Sequence, residues 1–320
     1  MTIDLLSTAA DDTTTPGMTL LGQGHLAKMR TELCSDIRSN IRSDMRSGTG
    51  SDMDAEQNSE QSDTNQYWLP LDESEFHLNP LIGRSIKLVY QGEIHCQHCG
   101  RASKKSFAQG YCYPCFRKLP QCDSCIVSPE KCHFDQGTCR DEEWGQSFCM
   151  ADHIVYLANS SGVKVGITRA TQIPTRWIDQ GAIQALPIFR VDTRYRSGLV
   201  EVLFKNHVAD KTNWRTMLKG QVDAIDLLAV RDRLLAETQS EVSELQQSFG
   251  LQSIQPLGDS EVTELRYPVL NYPTKVTSLN FDKTPVVEGV LQGIKGQYLI
   301  LDSGVINIRK FGAYRVEFYA

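Results

Sequence analysis

The chain has 320 residues, with 33 Lys plus Arg against 39 Asp plus Glu, a formal net charge of −6 and 10 Cys. A hydrophobic content of 40% supplies enough apolar side chain for a core and excludes wholesale disorder, and the length suits two or three domains of roughly 100–200 residues each. No run of about 18 apolar residues occurs, and the start, MTIDLLSTAADDTTT, lacks the features of a secretion signal, so a soluble, cytoplasmic protein is expected.

Residues 1–23 read as a flexible N-terminus. Residues 24–93 read as a small N-terminal β region, with strand patterns at 24–33, 66–71 and 85–90; Ile86, Leu88 and Tyr90 alternate at period two. Within it, residues 35–65 repeat a Ser-(Asp/Asn)-(Ile/Met)-Arg unit and run into polar and acidic residues, the composition of a disordered insertion.

Residues 94–152 form a Cys-rich module holding nine of the ten cysteines. Cys96-x2-Cys99 is followed after twelve residues by Cys112-x2-Cys115, a spacing that places four thiolates around one Zn2+ when each pair sits on a tight turn. A second cluster, Cys122, Cys125, Cys132 and Cys139, predicts a second zinc, with His133, Cys149 and His153 near enough in sequence to compete for its fourth place. Two structural Zn2+ are therefore expected. Sites closed by four thiolates hold a fold together and leave no position for a reactive water. Lys104 and Lys105 lie among Phe107, Tyr111, Tyr113 and Phe116. Basic and aromatic side chains so interleaved suit phosphate contact and base stacking, although the aromatics equally serve as the core of a small zinc module.

Residues 153–220 alternate strand and helix patterns, with strands at 153–158, 163–167 and 188–193 and helices from about 173 and 198. Tyr156, Arg176 and Glu201 can converge on one surface there. The carboxylate suits a divalent cation, Mg2+ or Mn2+, the arginine suits developing phosphate charge, and the tyrosine suits positioning or deprotonating water. Residues 221–263 read as a helical segment and 264–320 as a small C-terminal β-barrel of four or five glycine-punctuated strands. The fold class expected is α+β.

Charge along this order is uneven. Residues 80–220 hold 19 basic and 12 acidic side chains, whereas 1–79 hold 5 and 14 and 221–320 hold 9 and 13. A basic middle suits an anionic partner, although a solvated charged face gives the same count.

The segments CGRASKKSF, GYCYPCF, PEKCHFDQGTCR, KVGITR, RWIDQGA and KTNWRTMLKG closely resemble a bacterial family known as domain of unknown function 2797, over residues 20–34 and 66–320. That family carries no established activity. Within it, residues 153–218 resemble the GIY-YIG nuclease superfamily. The resemblance implies that Tyr156 stands for the first motif tyrosine, Val165 and Gly166 for the end of the second motif, Arg176 for the helix arginine and Glu201 for the metal-binding carboxylate. Two departures stand out: Lys164, or Val163 if the register slips one place, replaces the second motif tyrosine, and Arg176 lies ten residues after Gly166.

The function expected is that of a zinc-containing nucleic-acid-binding protein, with a GIY-YIG-like endonuclease as its catalytic form. Lys104, Lys105, Lys164, Arg169, Arg196 and Lys211 are the backbone-contacting candidates, and His207 and Trp214 are candidates to complete the site. A noncatalytic nucleic-acid binder and a zinc-stabilised protein-interaction scaffold are the alternatives.

Overall fold

The computed structural model describes residues 17–34, 63–208 and 213–320. The expected insertion at 35–65 lies outside the described residues except for 63–65, where Asn65 is buried and its N–H donates to Arg266 O at 2.9 Å. Lys211 also lies outside them.

Alternation in the sequence produces the first sheet. It contains β1 (Leu20–His25), β5 (Ser85–Ile94), β11 (Val286–Lys295), β12 (Tyr298–Leu301), β13 (Gly304–Asn307) and β14 (Tyr314–Tyr319). Tyr314, Val316 and Phe318 of β14 point into the core while the residues between them are half-buried, the period-two signature of a strand with one covered face. The order is β1-β14-β5-β11-β12-β13, antiparallel throughout. The tail supplies four strands, but the expected C-terminal barrel is not what they build. The ten-residue β5 from the N-terminal half occupies the facing edges of both β14 and β11. Closure of the tail on itself is thereby pre-empted: the strand order ends at β1 and β13, and β13 is met on its outer side by the backbone of residues 277–279.

A three-stranded sheet, β2 (Arg30–Glu32), β3 (Gln66–Leu71) and β4 (Ser74–His77), packs beside it through Tyr67, Leu69 and Leu71. The third sheet centres on β6 (His153–Asn159), flanked by β7 (Val163–Arg169) and β8 (Gln184–Val191). The short β9 (Ile254–Pro256) and β10 (Thr263–Glu264) pair with β8. Every residue of β6 is buried, because both of its faces are covered. Ile154, Tyr156 and Ala158 join the core shared with the first sheet. Val155 and Leu157 join a second core built with helices α4 (Arg194–Lys205), α6 (Leu227–Glu237) and α7 (Gln239–Phe249). The result is a mixed α+β protein in which Tyr156 faces the seam between two sheets.

Four short helices complete the fold: α1 (Tyr113–Lys118) and α2 (Glu142–Phe148) in the cysteine-rich region, α3 (Thr175–Asp179) after β7, and α5 (Trp214–Leu218). The segment 221–263, expected to be helical, holds the two helices α6 and α7, which break at Thr238, followed by β9 and the first residue of β10. The buried hydroxyl of Thr238 donates back to Leu234 O at 2.8 Å. Among the described residues no helix is long and apolar enough to cross a membrane.

Candidate functional site

Cys96 lies two residues past the end of β5, and the Gly100 N–H turns back to Cys96 O at 2.8 Å with Gly100 at φ +67°. That left-handed conformation costs glycine nothing and lets Cys99 fold over Cys96. Cys112 is the residue that opens α1 and Cys115 lies in its first turn. The four Sγ atoms lie within 4.8 Å of one another, with Cys99 Sγ and Cys112 Sγ 3.7 Å apart. Thiolates about 2.3 Å from a zinc ion at tetrahedral angles are separated by roughly 3.8 Å, so the cluster fits a structural zinc site. Burial pushes the Cys96 thiol up, but N–H groups of Cys112, Cys99 and His98 outweigh it and bring the thiol down to about 6, the direction a metal ligand needs. None of the ten cysteines is in a disulfide.

The second cysteine group is arranged differently from the spacing-based expectation. Cys125 and Cys132 come together, but their companion is Cys149. The Cys132 thiol interacts with those of both Cys125 and Cys149; these contacts pull it strongly down and push the other two up. Cys139 lines the same small cavity, whereas Cys122 does not; its electrostatic neighbours are Arg140 and Cys96. Asp123, Cys125 and His133 also approach within 4.8 Å. His153, buried in β6, bonds Ala151 O at 2.6 Å through Nδ1.

A cavity of about 510 Å³ opens where β7, α3, α4 and the Ile126–Pro129 segment meet the first sheet. All three residues predicted for chemistry, Tyr156, Arg176 and Glu201, line it. Cross-strand register explains one contact: Tyr156 pairs with Gly166, and a Cβ at 166 would lie 2.8 Å from the Tyr156 ring and hydroxyl. Glycine at 166 therefore makes room for the phenol, whose O–H donates to Gln180 Oε1 at 3.3 Å. Glu201 stands on α4 with Lys205 one turn on, Nζ to Oε2 3.4 Å; burial raises the Glu201 carboxyl while Lys205 opposes the shift.

Cations dominate the walls. Lys28, Lys164, Arg169, Arg176, Arg194, Lys205 and Arg309 face the cavity against two carboxylates, Asp179 and Glu201. Asp179 is already engaged: Lys28 Nζ lies 2.5 Å from Oδ2, and Gln297 donates to Oδ1 at 2.9 Å. Burial, reinforced by Arg176, pushes Lys164 down to about 8 and lowers Arg309. Burial likewise lowers Arg194, whose guanidinium donates to Cys125 O and Ile126 O. Like charges confined in a partly desolvated space disfavour one another, and an entering anion relieves that penalty.

Of the other predicted contacts, Lys164 and Arg169 are in the cavity, the latter with its guanidinium 4.0 Å above the Phe148 ring. Arg196 points elsewhere, to Asp192 at 2.5 Å and Ser253 Oγ at 3.1 Å. Lys104 and Lys105 are exposed beside the first cluster and do not line the cavity. His207 pairs with Glu237 at 2.9 Å, and Trp214 stacks on Tyr298 with planes 3° apart, so neither joins the site. The aromatics of the cysteine module pack together, Phe107 with Tyr113 and Phe116 at 5.5 and 5.7 Å. Lys28 and Arg309 were invisible to motif reading. They come from opposite ends of the chain, and no local pattern marks them.

A cysteine-stapled module set against an α+β unit with a cationic cavity defines the class of protein. Residues 83–316 match the family described as Protein of unknown function (DUF2797), and the chain belongs to that family. The matched span holds both cysteine groups and every cavity residue except Lys28. No curated protein and no solved structure matches the chain.

Proposed function

We propose that the chain binds nucleic acid, with the cavity as its phosphate-backbone site. The observation that carries this reading is the set of seven cationic side chains facing two carboxylates in one cavity. Four of the seven, Lys164, Arg169, Arg194 and Arg309, have their charged forms disfavoured by burial. Arg176 and Arg309 suit bidentate phosphate contact, and Lys164 and Lys205 act as point charges. The test is anisotropy of fluorescein-labelled single-stranded and duplex DNA and RNA across a salt series. Affinity is expected to fall steeply and linearly on a log–log plot. Salt-independent binding, or none to any of the four probes, would remove the reading in favour of a protein-interaction scaffold.

Convergence of Tyr156, Arg176 and Glu201 favours a second reading, in which bound phosphodiester is also cleaved as in GIY-YIG nucleases. Glu201 would hold a divalent cation, Mg2+ or Mn2+, and one carboxylate suffices because magnesium is commonly bound by one or two carboxylates together with substrate phosphates. Such a cation would supply charge neutralisation at the phosphoryl oxygens. Arg176 would stabilise the developing equatorial charge. Tyr156, held by Gln180, would orient the attacking water. Lys164, in place of the second tyrosine, marks the departure from that superfamily. Product analysis on the probes that bind, with and without Mg2+ or Mn2+, separates the two readings. Metal-dependent cleavage lost in Glu201→Gln supports catalysis, and binding without cleavage in either protein leaves recognition alone.

A further inference from the structure

We infer that a second zinc site is formed by Cys125, Cys132, Cys139 and Cys149, with Cys122 left outside it. Cys125, Cys132 and Cys149 line one small cavity, and the Cys132 thiol interacts with the other two. Cys125 and Cys149 are 7% and 2% exposed, so their sulphurs are withdrawn from solvent as in a closed structural site. The fourth, Cys139, lines the same small cavity, and helix α2 explains why it reaches the others. Gly145 and Cys149 are four residues apart and so share one helical face. A Cβ at 145 would meet Cys139 Sγ at 3.0 Å and the Phe134 ring at 2.6 Å. The bare backbone at 145 thus admits Cys139 Sγ to the face from which Cys149 projects.

Cys122, three positions before Cys125, is buried but absent from that cavity's walls. Two of the competing donors already have partners. Asp123 accepts from Arg140 Nε at 2.6 Å and from the Ser124 N–H at 2.5 Å, and His133 Nδ1 is 2.8 Å from Thr138 Oγ1. Four thiolates are also the donor set that selects zinc most strongly over harder divalent ions.

The site would clamp the segment that walls the large cavity. Ile126, Val127 and Pro129 line it between Cys125 and Cys132. The same segment lies so close to α4 that a Cβ at Gly198 would be 2.4 Å from Glu130 N. The Arg194 N–H donates to Cys149 O at 2.8 Å, while its guanidinium holds the carbonyls of Cys125 and Ile126.

Zinc content of the full chain, purified without chelator, tests the assignment. Wild type is expected to hold two zinc ions, Cys149→Ser one, and Cys122→Ser and His133→Asn two each. The zinc retained by Cys149→Ser would report that the first cluster still folds. Titration with Co2+ adds a measurement on the wild type, with sulphur-to-cobalt charge transfer expected at an intensity of eight thiolates per two metals. A wild type holding one zinc, a Cys122→Ser chain holding one, or a cobalt spectrum of fewer than eight thiolates would overturn it.

Discussion

The first cysteine cluster and the cationic cavity are built by opposite means. Four ligands separated by at most 19 positions, Cys96 to Cys115, meet because two tight local features, the Gly100 turn and the start of α1, bring each pair round. The cavity instead takes Lys28, Lys164, Arg176, Glu201 and Arg309 from across almost the whole described chain. The contrast separates a site that folds from local geometry plus a metal from one that exists only once two sheets have docked. Each kind of site should therefore fail differently when disturbed.

The largest effect is expected at the local site. Cys112→Ser should release its zinc and, with it, most of a binding free energy on the order of 10 kcal/mol, which in small metal modules is folding free energy. Zinc analysis and hydrogen exchange across residues 95–118 would show the loss, with β6 to β8 remaining protected. If unfolding instead spread through the whole chain, the two sites would not be independent.

At the cavity, Arg176→Ala should weaken binding of a labelled oligonucleotide by roughly tenfold to a hundredfold, the range of a charge-assisted contact worth about 1.5–3 kcal/mol. Its melting temperature should hold or rise, because the charge removed is one that disfavours Lys164 and Arg309. A fall in both affinity and stability would mean that Arg176 is a structural residue.

Gly166→Ala sharpens the same point from the packing side. Its Cβ would enter the Tyr156 ring, and overpacking of that kind costs about 1–3 kcal/mol, readable in chemical denaturation. A neutral result would mean that the phenol can move out of its present place.

Titration gives a smaller effect with a defined sign. Lys164 has a folded-state value near 8, below its ordinary 10.5. Below about 8 it is charged in both folded and unfolded chains, and the full penalty of burying that charge is present. From about 8 to 10.5 the folded chain gives up its proton first, so this group's contribution to stability rises with pH across that window. Anion affinity should move the other way, declining as pH passes through about 8, and Lys164→Met should remove that step. Smallest of all, Lys104→Ala and Lys105→Ala should change affinity less than twofold if the cavity is the whole site. A larger loss would extend the interface onto the cysteine module.

Sequence alone determined what is repetitive or local. The strand patterns at 66–71 and 153–158 match β3 and all but the last residue of β6, period-two alternation at 85–90 found the first six residues of β5, and the paired Cys-x2-Cys spacing identified the Cys96, Cys99, Cys112 and Cys115 cluster. Steric rules and ligand geometry act over a few residues, so such features survive without knowledge of the rest of the chain. Tyr156, Arg176 and Glu201 were legible as chemical types at suggestive positions, but their meeting in one cavity was not. Tertiary structure alone decided that β5 would enter the tail's sheet and prevent a barrel, that Cys149 and not Cys122 would approach Cys132, and that Lys28 and Arg309 would face Arg176. Strand edges pair with whichever partner buries more apolar surface, and side chains from remote segments become neighbours only through that burial; neither leaves a periodic trace in the order of residues.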